Sequence, residues 1–143
     1  MSAQPYIEGV AAGLELPPVV KHPTTRQLVQ YAGASGDFYE IHYDKDFAVA
    51  QGLPGVIIHG ALKSAWLAQV ATDWMGPGGR LESFSVRYRE VDVPNETLTC
   101  TGKVVEVIAA QSKVRCELAL TNGAGRVTTT GEAVVVLPRG GAS

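Results

Sequence analysis

The sequence predicts an α+β domain in which an antiparallel sheet is wrapped around one long central helix. Three observations carry this: a nearly all-apolar helical pattern from residue 60 to about 75, a switch of hydrophobic period from helical to two just beyond it, and successive amphipathic runs separated by turn residues. A helix that is apolar on most sides has to be buried. Strands with one wet face each can bury it by curling around it.

The elements follow in chain order. Residues 1–23 contain Pro5, Gly9, Gly13, Pro17, Pro18 and Pro23, which leaves room for one short strand near Glu15 to Lys21. Thr24 or Thr25 caps a helix through Gln27, Leu28, Val29 and Tyr31, and the run Gly33-Ala34-Ser35-Gly36 stops it. Asp44 caps a short helix through Phe47 and Ala50, ended by Gly52-Leu53-Pro54-Gly55. In the long helix Leu62, Trp66, Val70 and Trp74 recur at four-residue spacing with alanines between them, so both tryptophans read as core.

Gly76-Pro77-Gly78-Gly79 terminates that helix and strands take over. Phe84, Val86 and Tyr88 alternate with polar residues, as do Leu98, Cys100 and Val104, then Val114, Cys116, Leu118 and Leu120; a last run spans Val127 to Leu137. Turns at Pro94-Asn95, Ala110-Gln111-Ser112 and Asn122-Gly123 imply antiparallel order. Gly102 and Gly131, inside strand patterns, are expected to mark a bulge or bend.

A chain of 143 residues suits one domain, 1–143 with its core at about 15–137. With 45% hydrophobic and 18% charged residues, the surface has room for an apolar patch covered by a second subunit, and a dimer is the expected state. The net charge is −2 and no run of Lys and Arg could follow a phosphate backbone, which excludes nucleic acid as an expected partner. Cys100 and Cys116 form no C-x-x-C pair, so neither a disulfide framework nor a zinc ribbon is expected and a reducing cytoplasm fits. The amino terminus lacks a basic and apolar leader and no apolar run approaches about 18 residues, so the expectation is a soluble protein off the membrane.

The chemistry is concentrated between Ser35 and Leu62, S-G-D-F-Y-E-I-H-Y-D-K-D-F-A-V-A-Q-G-L-P-G-V-I-I-H-G-A-L. Asp37 and His42 lie in a segment too irregular for a regular helix, where a bend can turn both side chains to one point. A carboxylate and an imidazole are suited to general acid/base work near neutral pH. His59-Gly60 stands immediately before the long helix, where the Gly60 N–H, backed by the helix's positive end, can donate to an oxygen gaining negative charge. Acid, base and oxyanion donor suffice for adding water across a conjugated thioester. Asp44 reads as a helix cap or a partner orienting His42, and His59 as support for the turn. His42, Asp44 and Asp46 resemble hard-metal ligands, but Ala48 stands where a calcium loop needs its next oxygen, so no metal is expected. The glycine runs lack G-K-[ST] or G-x-G-x-x-G, and no cofactor is expected.

The segments S-G-D-F-Y-E-I-H-Y-D and H-G-A-L resemble the MaoC-like hot-dog hydratases and dehydratases, whose pattern is S-G-D-x-N-P-I-H-x-D followed by H-G-M/A-L. The resemblance covers roughly residues 15–137. It implies a single hot-dog fold, Asp37 and His42 as the catalytic pair, the Gly60 amide as oxyanion donor, and an (R)-specific hydration of an enoyl thioester on coenzyme A or acyl carrier protein. The family's Asn-Pro is Tyr39-Glu40 here, which places Tyr39 beside the pair as a possible support. The stretch from Asp37 to Gly52, with T-D-W-M-G-P at 72–77, is similar to small subunits of actinobacterial steroid side-chain hydratases, which also lack Asn-Pro and work with a second hot-dog chain. That implies a homodimer or a hetero-oligomer, and a fatty, steroid or polyketide-derived acyl group. A thioesterase fits less well, since residues 61–71 carry no carboxylate and Asp73 comes late in the helix. A non-catalytic subunit is the remaining alternative.

Overall fold

The computed structural model describes residues 3–140, so the ends of the expected 1–143 domain, Met1–Ser2 and residues 141–143, lie outside the described residues. Five strands, β1 (Glu15–Lys21), β2 (Arg80–Tyr88), β3 (Leu98–Ile108), β4 (Lys113–Thr121) and β5 (Val127–Val136), form one sheet in the order β1-β3-β4-β5-β2, every pair antiparallel. The helices are α1 (Thr25–Ser35), α2 (Lys45–Ala50) and α3 (Gly60–Met75). This is the predicted α+β arrangement, for α3 packs against all five strands.

Local chemistry sets the helix ends. The Thr24 hydroxyl accepts from the Gln27 N–H, and Gly36 closes α1 in the left-handed region at φ 78°, a conformation that costs glycine nothing. Asp44 accepts from the Phe47 N–H and so starts α2. On α3 only Ala61, Ala65 and Asp73 are exposed; Leu67, Val70 and Ala71 are fully buried against Val104, Cys116 and Val135 of the sheet. Each such aliphatic side chain contributes about 1.5–3 kcal/mol by leaving water. Trp66 and Trp74 are buried in the same core.

The sheet's register shifts lie between Leu16 and Val19, Leu81 and Ser83, Val104 and Glu106, and Leu120 and Thr121. The first begins at the Leu16–Gly102 pair, so Gly102 flanks a bulge as expected, whereas Gly131 pairs regularly with Val86 and Leu118. A Cβ on Gly102 would stand 2.9 Å from Val70 Cγ1. Gly131 sits as tightly, its missing Cβ 3.0 Å from the Ser85 carbonyl oxygen. These glycines let helix and strands approach closely. Among the described residues no helix is long and apolar enough to cross a membrane.

Candidate active site

The site forms where the end of α1, the Glu40–His42 3₁₀ turn and the head of α3 converge. The α1 terminus is tied down first: the Ser35 hydroxyl donates to the Tyr31 carbonyl at 2.7 Å and accepts from the Asp37 N–H at 3.1 Å. One Asp37 carboxylate oxygen then accepts from the Tyr39 N–H at 3.3 Å, a local turn that leaves the other oxygen free to face His42. The 3₁₀ turn swings the His42 ring inward, so that its side chain is 7% exposed while that of Asp37 is 49% exposed. His42 Nε2 lies 3.7 Å from Asp37 Oδ2. That gap is too long for a direct hydrogen bond and short enough for one water to touch both atoms.

The tautomer of His42 follows from its other nitrogen. Nδ1 lies 2.7 Å from the Ile57 carbonyl, which can only accept, so Nδ1 carries a proton and, in the neutral ring, Nε2 turns its lone pair toward Asp37. The Ile57 N–H in turn donates to the Ile41 carbonyl at 3.0 Å, and the Ile58 N–H to the Asp92 carbonyl at 2.8 Å. The strap leading to α3 is thereby fastened on both sides.

His59 is fully buried at the head of α3 and makes no side-chain cap. Its ring stacks on His42 with centroids 3.8 Å apart and planes 20° apart, and the Tyr31 ring meets its edge. Its Nε2–H donates to the Asp37 carbonyl at 3.3 Å, while Nδ1 is buried with no partner among the described residues. Burial first, and the neighbouring His42 second, hold its pKa below the ordinary imidazole value.

Gly60 is the first residue of α3, where an N–H has no acceptor within the helix. It lines a cleft of about 400 Å³ together with His42, Ile57, Lys63 and Tyr88. A Cβ on Gly60 would stand 3.1 Å from the Tyr88 ring, so the absent side chain keeps the amide approachable. A larger depression of about 890 Å³ spans all five strands and is lined by none of these residues; Arg89 alone lines both.

Of the residues expected from sequence, Asp37, His42, His59 and Gly60 converge. Tyr39 meets the His42 ring edge-on at 6.3 Å and the Phe47 ring at 5.9 Å, a packing support. Asp44 serves as the cap of α2, its carboxylate spent on the Phe47 N–H. His22 is remote from the site, bonded to the Thr97 hydroxyl.

Asp37, His42 and His59 offer donor atoms within 4.8 Å of one another, yet they do not fit a metal ion. Imidazole lone pairs lie in the ring planes, and two near-parallel planes 3.8 Å apart do not converge on one point. His42 Nδ1 and His59 Nε2 are also committed as donors to carbonyls.

Sequence reasoning overlooked Lys63, Tyr88 and the segment after it, which form one wall of the cleft. The available signal was that Lys63 is the one charged residue between Gly60 and Thr72 of an otherwise apolar helix.

The chain is similar to several known proteins. A family model described as "MaoC like domain" matches residues 14–124. The 3-oxo-4,17-pregnadiene-20-carboxyl-CoA hydratase beta subunit of Mycobacterium tuberculosis is 30% identical over 95 residues, 66% of this chain and 74% of that protein. An (R)-specific enoyl-CoA hydratase of Rhodospirillum rubrum is 27% identical over 141 residues, 95% of this chain and 94% of its own. Among solved structures, R-hydratase PhaJ1 from Pseudomonas aeruginosa superposes with a TM-score of 0.84 at 25% identity, covering 94% of this chain and 86% of that one. The fold is the hot-dog fold.

Proposed function

The chain belongs to the MaoC-like domain family, and from that premise we propose that it catalyses the reversible hydration of a trans-2-enoyl thioester to an (R)-3-hydroxyacyl thioester. The observation that carries this is the Asp37–His42 pair: Nε2, on a ring held by the Ile57 carbonyl, lies 3.7 Å from a carboxylate oxygen beside the cleft that holds Gly60.

In this reading a water sits between His42 Nε2 and Asp37 Oδ2. Its oxygen forms the new bond to the β carbon as one O–H bond breaks, and that proton passes to Nε2. The electron pair of the double bond moves into the thioester, whose oxygen takes up negative charge at the Gly60 N–H. Asp37 holds the water and steadies the imidazolium that forms. The imidazolium then returns the proton to the α carbon, so the pair ends as it began. Dehydration is the same path reversed. The acyl carrier is coenzyme A or acyl carrier protein, and the two buried free thiols suit a reducing cytoplasm.

A second reading is favoured by the relative named a beta subunit: the chain works as one half of a hetero-oligomer with another hot-dog chain, instead of as a homodimer. Loss of the conjugated-thioester absorbance with crotonyl-CoA and with longer or bulkier enoyl-CoAs tests both readings. Asp37→Asn and His42→Ala should each lower kcat/KM by about 10²–10⁴ while the circular dichroism stays unchanged. Turnover that appears only on mixing with a second hot-dog chain supports the hetero-oligomer. Folded protein that hydrates no enoyl thioester, alone or mixed, overturns the proposal, as does an Asp37→Asn variant with full activity.

A further inference from the structure

Lys63 stands three positions after Gly60, on the same face of α3, and both residues line the cleft with His42. The Lys63 side chain is only 3% exposed. Its ammonium donates to Asp92 Oδ2 at 2.9 Å and to the Glu90 carbonyl at 3.1 Å, and lies 5.7 Å from the centre of the Tyr88 ring. Asp92 Oδ2 also accepts from the Thr128 hydroxyl at 2.5 Å. An ammonium has three N–H donors. Two are used, and the third has no acceptor among the described residues.

Stability does not account for a cation at this place. Desolvating two charges offsets most of their attraction, and apolar residues in place of both partners are often neutral or better. The neighbouring cleft wall is apolar, made by Ile41, Ile57, Ile58 and Val91. The same cleft is also lined by His42, Tyr88, Arg89 and Glu90, and a few polar groups placed in a largely apolar wall are how a pocket fixes the orientation of a ligand.

We propose that Lys63 determines specificity: its third N–H donates to a ketone or hydroxyl oxygen on the acyl chain of the bound thioester. The identity of the ligand rests on the hydratase reading. A thioester's carrier has to run out to solvent, so the part that meets so enclosed a side chain is the acyl group. An alkyl chain in the same place leaves the third N–H of a buried ammonium without an acceptor, which the site penalises more heavily than it would a missing methylene.

The test compares enoyl-CoAs of one chain length, one plain and the others carrying a ketone at successive positions beyond the double bond. Wild-type protein should favour one ketone isomer by at least about tenfold in kcat/KM. Lys63→Met should bring that ratio close to one, and so should the double variant Lys63→Met/Asp92→Asn. The double variant removes both charges and keeps an acceptor for Thr128, which guards against a variant that fails to fold. No preference for any isomer in the wild type overturns the proposal, and so does a preference that survives in folded Lys63→Met. Calorimetric binding of the saturated acyl-CoAs separates this from the hydratase reading. A ketone preference in binding that Lys63→Met abolishes, in a protein without hydratase activity, upholds the assignment of Lys63 while the reaction falls. Hydration without any such preference does the reverse.

Discussion

Replacing Gly102 with alanine should destabilise the protein although it adds only one methyl group. The new Cβ would stand 2.9 Å from Leu118 Cδ2, 2.9 Å from Val70 Cγ1 and 3.2 Å from Leu16 Cδ2. Carbon atoms in good contact sit about 3.5–4.0 Å apart, so three neighbours must each give way by several tenths of an ångström. None has room to do so: all three are buried, Val70 is β-branched and stiff, and α3 is held by strands on every side. Overpacking of this kind costs about 1–3 kcal/mol. Removing a glycine from a strand offsets about 0.5–1 kcal/mol of that. Midpoint against midpoint, the net loss is about 1 kcal/mol, or roughly 2–4 °C in Tm for a chain of this size. Thermal and urea unfolding at matched protein concentration measure it, the match being needed because an oligomer's Tm depends on concentration. An alanine variant as stable as the wild type would refute the close-approach account of this glycine.

The opposite sign is expected at Gly33, inside α1, where an added Cβ meets nothing within 4 Å: Gly33→Ala should stabilise by about 0.5–1 kcal/mol and raise the same midpoint. Cys100 and Cys116, whose thiols burial pushes up to about 11, should resist alkylation at pH 8 in the folded protein and react fully in urea, as read by intact mass. His59 makes stability depend on pH. Its folded-state pKa lies below the unfolded value near about 6.5, so the unfolded chain binds the extra proton and stability is lost as pH falls below that value, while above it the penalty is absent. The drop in Tm between pH 7.5 and 5.5 should therefore be smaller in His59→Gln than in the wild type, and equal drops would remove burial of a neutral His59 as the cause.

Much of the architecture was legible because its signals are local. The strand Glu15–Lys21, the Thr24 and Asp44 caps, the Gly36 stop and the run of α3 to Met75 each depend on neighbours a few residues away. The reactive pair was legible for a similar reason, since Asp37 and His42 share one short loop. What escaped was set by partners distant in the chain. The sequence marks Lys63 only as a lone charge in an apolar helix; its partners appear when the fold brings Asp92, 29 residues on, against it, and Thr128 joins from 36 residues further still. At Gly102 the strand pattern reveals the irregularity but not that a helix side chain from residue 70 occupies the space above it. The stacking of His59 on His42 likewise unites two segments that the sequence separates by α2.

The double fastening of the strap at Ile57 and Ile58 bears on how the protein breathes. One amide is held by the turn that bears His42 and the next by the loop beside Lys63, so neither bond can open far without loading the other. The two amides should exchange with deuterium together, as a single opening unit whose rate is unrelated to that of frayed ends. Whenever that unit opens, the imidazole loses the carbonyl that fixes its proton and the head of α3 loses its anchor in the same event. Heat or denaturant should accordingly silence the chemistry in one step, at or before the collapse of the core, and not wear it away gradually.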